Sequence, residues 1–159
     1  MVRTALAARR LVVRTADSLS WLPQAAARVG VGWVFVQSGW GKLHHLQQSV
    51  DYFANLGIPA PRLQAPFVAG VELVGGLLVL AGLLTRVASV PLAATMVVAL
   101  ATARRAEIAG LWDLAGTVEF LYLLAFGFLA AFGAGALSLD RLLLRRFAPE
   151  DAAAEERGA

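Results

Sequence analysis

The chain has 159 residues, of which 58% are hydrophobic and only 16% are charged. Soluble domains average roughly 25% charged residues, so this composition predicts a membrane protein of one domain. The net charge of +3 does not indicate a nucleic-acid partner, because the basic residues cluster beside apolar segments, as they do in membrane proteins. The chain has no cysteine, which excludes disulfides, thiol redox chemistry and iron–sulfur ligation.

The first 20 residues are basic and only mildly apolar. Their apolar run, 11–13, is interrupted by Arg14 and Asp17, whereas a cleavable signal peptide needs a longer uninterrupted apolar core. We therefore expect residues 1–20 to form a cytoplasmic segment that is either an interfacial helix or a disordered tail. Residues 148–159 are charged and rich in alanine, and we expect them to form a disordered cytoplasmic tail.

Between these ends the sequence predicts a four-helix membrane domain, residues 21–147. The predicted helices cover about 23–44, 63–84, 87–103 and 111–139. Apolar segments of about 20 residues match a bilayer core of about 30 Å. The turn at Thr85 and Arg86 is short, so the helices that flank it should be antiparallel neighbours. The predicted fold is all-α, an antiparallel four-helix transmembrane bundle, with a loop at 45–61.

Four crossings place both termini on one side of the membrane. Ten of the 14 Lys and Arg residues fall on that side, whereas Lys42, Arg62, Arg104 and Arg105 fall on the other. Because cytoplasmic loops carry the excess of basic residues, this asymmetry predicts that both termini are cytoplasmic.

Two glutamates lie inside the apolar segments. Glu72 is the only charged residue of 63–84, and Glu119 is the only one of 114–139. A carboxylate inside a bilayer is costly, so both should face the interior of the bundle and have partners. We expect Lys42 to pair with Glu72 there, since both lie near the outer side of the membrane.

These charges and their polar neighbours form the candidate ligand site. Its predicted core consists of Lys42, Glu72, Glu119 and Tyr122. The supporting residues are Ser38 and His45 on the helix face of Lys42, Arg104 and Arg105 at the rim, and Gly75 and Gly76, which should let another helix approach Glu72 closely and also leave volume beside it.

One lysine neutralises only one of the two carboxylates. Glu119 must therefore be protonated, bound to Tyr122 or to one of the rim arginines, or exposed to water or ligand. We expect a ligand-sized pocket between the two glutamates, open to the outer leaflet. A quinone headgroup, with two acceptor oxygens, would suit a protonated Glu119 and Tyr122 as donors.

The two histidines do not predict a metal or haem site. His44 and His45 are adjacent, so their side chains point about 100° apart on a helix and cannot both bind one haem. We expect no metal and no cofactor that is bound by this chain alone.

Spaced motifs run from the first predicted helix through the second, over residues 28–86. They are Arg28-x-Gly30, Ser38-Gly39-x-x-Lys42-Leu43, Phe53-x-x-Leu56-Gly57-Ile58-Pro59, Glu72-x-x-Gly75-Gly76 and Gly82-Leu83-x-Thr85-Arg86. In this order the motifs resemble the DoxX family of small four-helix bacterial membrane proteins. Many members carry a histidine near the outer end of the third helix, where this chain has Ala103-Arg104-Arg105, so no role of that histidine is transferred.

The resemblance implies a multi-pass protein of the bacterial cytoplasmic (inner) membrane, surrounded by the lipid bilayer. The family is named after its resemblance to a subunit of a membrane thiosulfate:quinone oxidoreductase. The resemblance therefore implies an oxidoreductase-associated subunit that interacts with quinone or another small lipophilic redox ligand. It also implies a partner, either a redox subunit or a second copy of this chain.

Two alternatives stay open. In the first, the chain is a structural or assembly subunit without chemistry of its own. In the second, it transports small molecules or protons. The second is the weaker alternative, because the sequence shows no pair of broken helices of the kind that forms transporter sites.

Overall fold

The structure, a computed structural model, describes residues 21–135 and 138–147. Within these ranges it is all-helical, with seven helices: α1 Trp21–His44, α2 Leu46–Asn55, α3 Pro61–Ala81, α4 Thr85–Thr102, α5 Leu111–Gly116, α6 Val118–Phe132 and α7 Leu139–Phe147. The segments predicted at 1–20 and 148–159 lie outside the described residues.

Local sequence signals set both ends of α3. Pro61 occupies the first turn of α3, where a missing N–H costs nothing. The residue before it, Ala60, has a left-handed backbone with φ 48°. Gly82, at φ 71°, ends the helix, and the Leu83 N–H donates to the carbonyl of Leu78 at 2.9 Å. This glycine cap turns the chain directly into α4.

Helix α1 packs mainly against α3, through glycines. A Cβ atom on Gly32 would lie 2.8 Å from the backbone N of Leu80, and one on Gly39 would lie 2.7 Å from the carbonyl O of Ala69. Backbones this close require glycine. Residue numbers rise along α1 as they fall along α3, so these two helices are antiparallel.

Helix α6 packs against α4, also in the antiparallel direction. At one end Arg86 lies against Gly133, and at the other end Arg104 donates to Glu119 at 3.0 Å. Between these ends lies the core, in which α1, α3, α4 and α6 bury the cluster Phe35, Val79, Ala88, Leu92, Met96, Phe126 and Leu129.

Polar side chains join the start of α1 to the end of α6. The Gln24 side-chain amide donates to the carbonyl of Gly133 at 2.9 Å, and Arg28 donates to the carbonyl of Ala134 at 3.1 Å. These bonds satisfy carbonyls at a helix C-terminus, where a cation is favourable. The start of α1, the α3–α4 turn and the end of α6 therefore share one end of the molecule. Lys42 and α2 lie at the other end.

The predicted loop at 45–61 contains a helix, α2. Its residues Val50 and Phe53 are buried, and they cluster with Ile58 and with Ala65 of α3. This short amphipathic helix therefore covers the side of α3 near the Lys42 end of the molecule.

The predicted fourth helix, 111–139, is divided in the structure. Helix α5 ends at Gly116, and Thr117 is extended with ψ 141°. The Thr117 hydroxyl accepts a hydrogen bond from the Phe120 N–H at 3.3 Å, so it caps a new helix, α6. Glu119 consequently lies in the first turn of α6 and not in the interior of a long helix.

The outward faces of α3, α4 and α6 are apolar. Phe67, Val87 and Phe132 are between 65% and 70% exposed. Within the described part of the chain, α3 and α4 are long and apolar enough to cross a bilayer, and α6 is a shorter apolar helix. Apolar side chains on the outside as well as in the core are typical of helices that contact lipid.

Candidate ligand-binding site

A cavity of about 630 Å³ lies near the Lys42 end of the molecule. Small-molecule sites enclose roughly 300–1,000 Å³, so this volume suits a small ligand. Most of the wall is apolar, with side chains such as Phe35, Val71 and Met96. Its polar and charged lining residues are Ser38, Lys42, Tyr52, Gln64, Glu72, Thr95, Thr102, Glu119 and Tyr122. All four residues of the predicted core therefore line one cavity, which extends between the two glutamates.

Lys42 and Glu72 form an ion pair, which confirms the pairing predicted from the sequence. Lys42 Nζ donates to both carboxylate oxygens of Glu72, 2.5 Å from each, and Ser38 Oγ donates to Oε2 at 2.8 Å. The Glu72 side chain is 3% exposed and that of Lys42 is 30% exposed. Both oxygens of this buried carboxylate thus have donors, as a charge inside a helix bundle requires.

Gly75 and Gly76 position Glu72 by close packing. A Cβ atom on Gly76 would lie 2.8 Å from the backbone N of Val36, and one on Gly75 would lie 3.0 Å from Cγ of Leu92. Neither glycine lines the cavity. They hold α3 tightly against α1 and α4, which confirms the expected close approach of other helices to Glu72. The volume that was also expected at these glycines is not there.

Glu119 reaches the cavity from the first turn of α6. Its Oε1 accepts a hydrogen bond from Arg104 Nε at 3.0 Å, and its side chain is 16% exposed. Its Oε2 is buried and has no hydrogen-bond partner. Of the alternatives left open by the sequence, the structure shows the pairing with Arg104. A position near a helix N-terminus further favours the charged carboxylate.

Arg104 lies just beyond the end of α4, between two carboxylates. It donates to Glu119 and also to Glu107, which is 2.9 Å away. The hydrogen bond to Glu119, followed by the one to Glu107, raises the pKa of Arg104 above its ordinary value. Because arginine is already protonated at physiological pH, a positive charge is always present beside Glu119.

Tyr122 lies three residues after Glu119 on α6 and lines the same cavity. Its ring packs edge-on against Phe35, with the ring centroids 5.4 Å apart and an interplanar angle of 83°. No described residue hydrogen-bonds to its hydroxyl. A hydroxyl both donates and accepts, so this group is available to a ligand.

Of the six predicted supporting residues only Ser38 lines the cavity, and Arg104 acts through its hydrogen bond to Glu119. His45 follows the end of α1 with φ −115° and ψ 48°, and this backbone breaks the helical periodicity that placed it beside Lys42. Its side chain is exposed, as is that of Arg105, and neither residue lines the cavity. Arg104 alone provides the predicted arginine contact. Residues 21–135 and 138–147 contain no group of three His, Asp or Glu side chains suited to a metal ion.

One wall of the cavity was not predicted from the sequence. Tyr52 and Phe53 of α2 line it, and Thr95 and Thr102 of α4 add hydroxyl groups. A signal for α2 was present, because apolar residues recur at i, i+4 and i+7 from Leu46. The polar residues of α4 carried no comparable signal, since threonine is common in membrane helices as a packing residue.

The fold and the cavity together define a helical membrane protein with a mostly apolar site between its helices. The DoxX family model matches residues 24–105, which is more than half of the chain and covers most of α1 and all of α2, α3 and α4. The chain belongs to the DoxX family, which is membrane-associated. A search of curated proteins and a search of solved structures gave no match.

Proposed function

We propose that this DoxX-family chain is an antiparallel four-helix transmembrane protein of the bacterial cytoplasmic membrane. The alternating directions of α1, α3, α4 and α6 and their apolar outward faces support four crossings. The excess of Lys and Arg on the side of the termini supports cytoplasmic termini. In this orientation the cavity lies toward the outer side of the membrane.

A topology reporter inserted at Ala60 is expected to be exposed to the periplasm. Ala60 precedes α3, at the end of the molecule that carries Lys42, whereas Leu84 lies in the α3–α4 turn at the opposite end. Alkaline phosphatase fused after Ala60 should be active, and the same fusion after Leu84 should be inactive. Activity at Leu84 with none at Ala60 would reverse the proposed orientation.

The cavity supports the further proposal that the chain binds a quinone, or a similar small lipophilic redox ligand. A quinone has an apolar ring that suits the cavity wall and two oxygens that accept hydrogen bonds. The donors available to it include the hydroxyls of Tyr122 and Tyr52 and the one N–H of Lys42 that Glu72 does not use. In this proposal the chain is the membrane subunit of an oxidoreductase, and a partner subunit carries the redox cofactor.

A second proposal, an assembly subunit without chemistry of its own, has support from a different observation. The network of Ser38, Lys42 and Glu72 satisfies itself without a ligand. Such buried pairs also occur where they only fix the packing register of helices. Ligand binding distinguishes the two proposals.

The purified chain in lipid nanodiscs is expected to bind a benzoquinone with a decyl tail, as measured by isothermal titration calorimetry. The variant Tyr122→Phe should weaken this binding roughly three- to tenfold, because it removes one neutral hydrogen bond and keeps the ring that packs on Phe35. Thermal melting of the variant should match the wild type. A wild-type chain that binds no quinone would refute the ligand proposal and favour the assembly subunit.

A further inference from the structure

The two carboxylates in the cavity differ in how fully they are bonded. Both oxygens of Glu72 accept hydrogen bonds, from Lys42 and Ser38. Glu119 uses only Oε1, for Arg104, and its Oε2 is buried without a partner. Buried acceptors without partners are rare in folded proteins, and each one calls for an explanation. The Glu119 side chain lines the cavity, so a ligand bound there can supply this donor once the carboxylate turns to bring Oε2 to the cavity surface.

The chemistry of this donor follows from the charge on Glu119. The guanidinium of Arg104 lies 3.0 Å from its Oε1, and the negative charge is at the N-terminal turn of a helix. Glu119 is therefore an ionised carboxylate, which accepts hydrogen bonds and donates none. A ligand oxygen beside Oε2 must carry a hydrogen atom, since a carbonyl oxygen there would bring two acceptors together.

We propose that the cavity binds the reduced, hydroxyl-bearing form of a quinone more tightly than the oxidised form, with Glu119 accepting a hydrogen bond from a ring hydroxyl. This inference rests on the proposed quinone site and adds its preferred redox state. The hydroxyl oxygen of a quinol can still accept from Tyr122 or Lys42, so the quinol satisfies both the donors and the acceptor of the cavity. The carbonyl oxygen of a quinone satisfies only the donors.

The preference has a thermodynamic consequence for the bound ligand. Reduction of a quinone consumes two electrons and two protons, and tighter binding of the product raises the reduction potential of the bound couple. A tenfold preference for the quinol corresponds to about 30 mV for a two-electron couple. Bound quinone would thus be a better electron acceptor than quinone dissolved in the same lipid.

The test compares both redox forms of the decyl benzoquinone on the full chain in nanodiscs, by anaerobic calorimetry at pH 7. The wild type is expected to bind the quinol at least about tenfold more tightly than the quinone, because a hydrogen bond to a charged group contributes that much affinity or more. Glu119→Gln should bring the ratio to about one or below it, because the amide nitrogen is a donor. Glu107→Gln is the matched control. Glu107 also contacts Arg104, but its side chain is 59% exposed and does not line the cavity. The ratio of quinol to quinone affinity should therefore stay at the wild-type value.

Each other outcome decides the question. Equal affinities of the wild type for the two forms would overturn this inference and leave the quinone site intact, whereas no binding of either form would overturn both. An unchanged ratio in a folded Glu119→Gln variant would overturn the role of Glu119. A redox titration of the wild type with bound ligand needs no variant: the potential should exceed that of the same couple in protein-free nanodiscs, and an equal or lower potential refutes the preference.

Discussion

Replacement of Lys42 by alanine is expected to lower the free energy of unfolding by about 3 kcal/mol. Removing one partner of a buried ion pair costs about 3–5 kcal/mol, because the other charge remains buried without compensation. Glu72 is 3% exposed and would keep only Ser38 as a donor. The lower end of the range applies because Lys42 is itself 30% exposed, so water reaches part of the pair. Denaturation in detergent, followed by circular dichroism, measures the change.

Arg62→Ala provides the control for this prediction. Arg62 is an exposed cation at the same end of the molecule, and in the described part of the chain it forms no ion pair, so its loss should change stability by no more than about 0.5 kcal/mol. A double variant, Lys42→Met with Glu72→Leu, should recover most of the stability, since an apolar pair strands no charge. Equal, small losses for Lys42→Ala and Arg62→Ala would show that the pair does not stabilise the fold.

Three of the main helices were predictable to within a few residues, because their end signals are local. Pro61 begins α3 and Gly82 ends it, and both residues act through their own backbone geometry. The division of the fourth predicted helix was missed because hydropathy is high on both sides of Thr117. A single threonine cap changes the backbone without changing the apolar pattern around it.

The ion pair of the site was predictable from the sequence for a simple physical reason. A lone carboxylate in an apolar segment needs a partner, and Lys42 was the nearest cation in the expected topology. The choice of Arg104 over Arg105 was not predictable, because it depends on how the chain leaves α4. The same limit applies to His45, whose backbone departs from the helix one residue after α1 ends.

The volume of the cavity depends on contacts between distant parts of the chain, and no sequence pattern predicts it. Its wall combines α2 with residues of α4 such as Ala99 and Thr102. The unused Oε2 of Glu119 depends on the same packing. Filling this volume should therefore separate what the cavity contributes to function from what it contributes to stability.

The variant Ala99→Phe is expected to abolish binding of the decyl benzoquinone while the protein stays as stable as the wild type or becomes more stable. Ala99 lines the cavity from α4, so a phenyl ring there occupies the volume that the ligand needs. Filling an internal space commonly adds about 0.5–2 kcal/mol of stability. Calorimetry and thermal melting in nanodiscs measure the two effects. Ala101→Phe, two residues further along the same helix and exposed, should leave binding unchanged. If Ala99→Phe still binds the quinone with wild-type affinity, the ligand occupies another part of the protein.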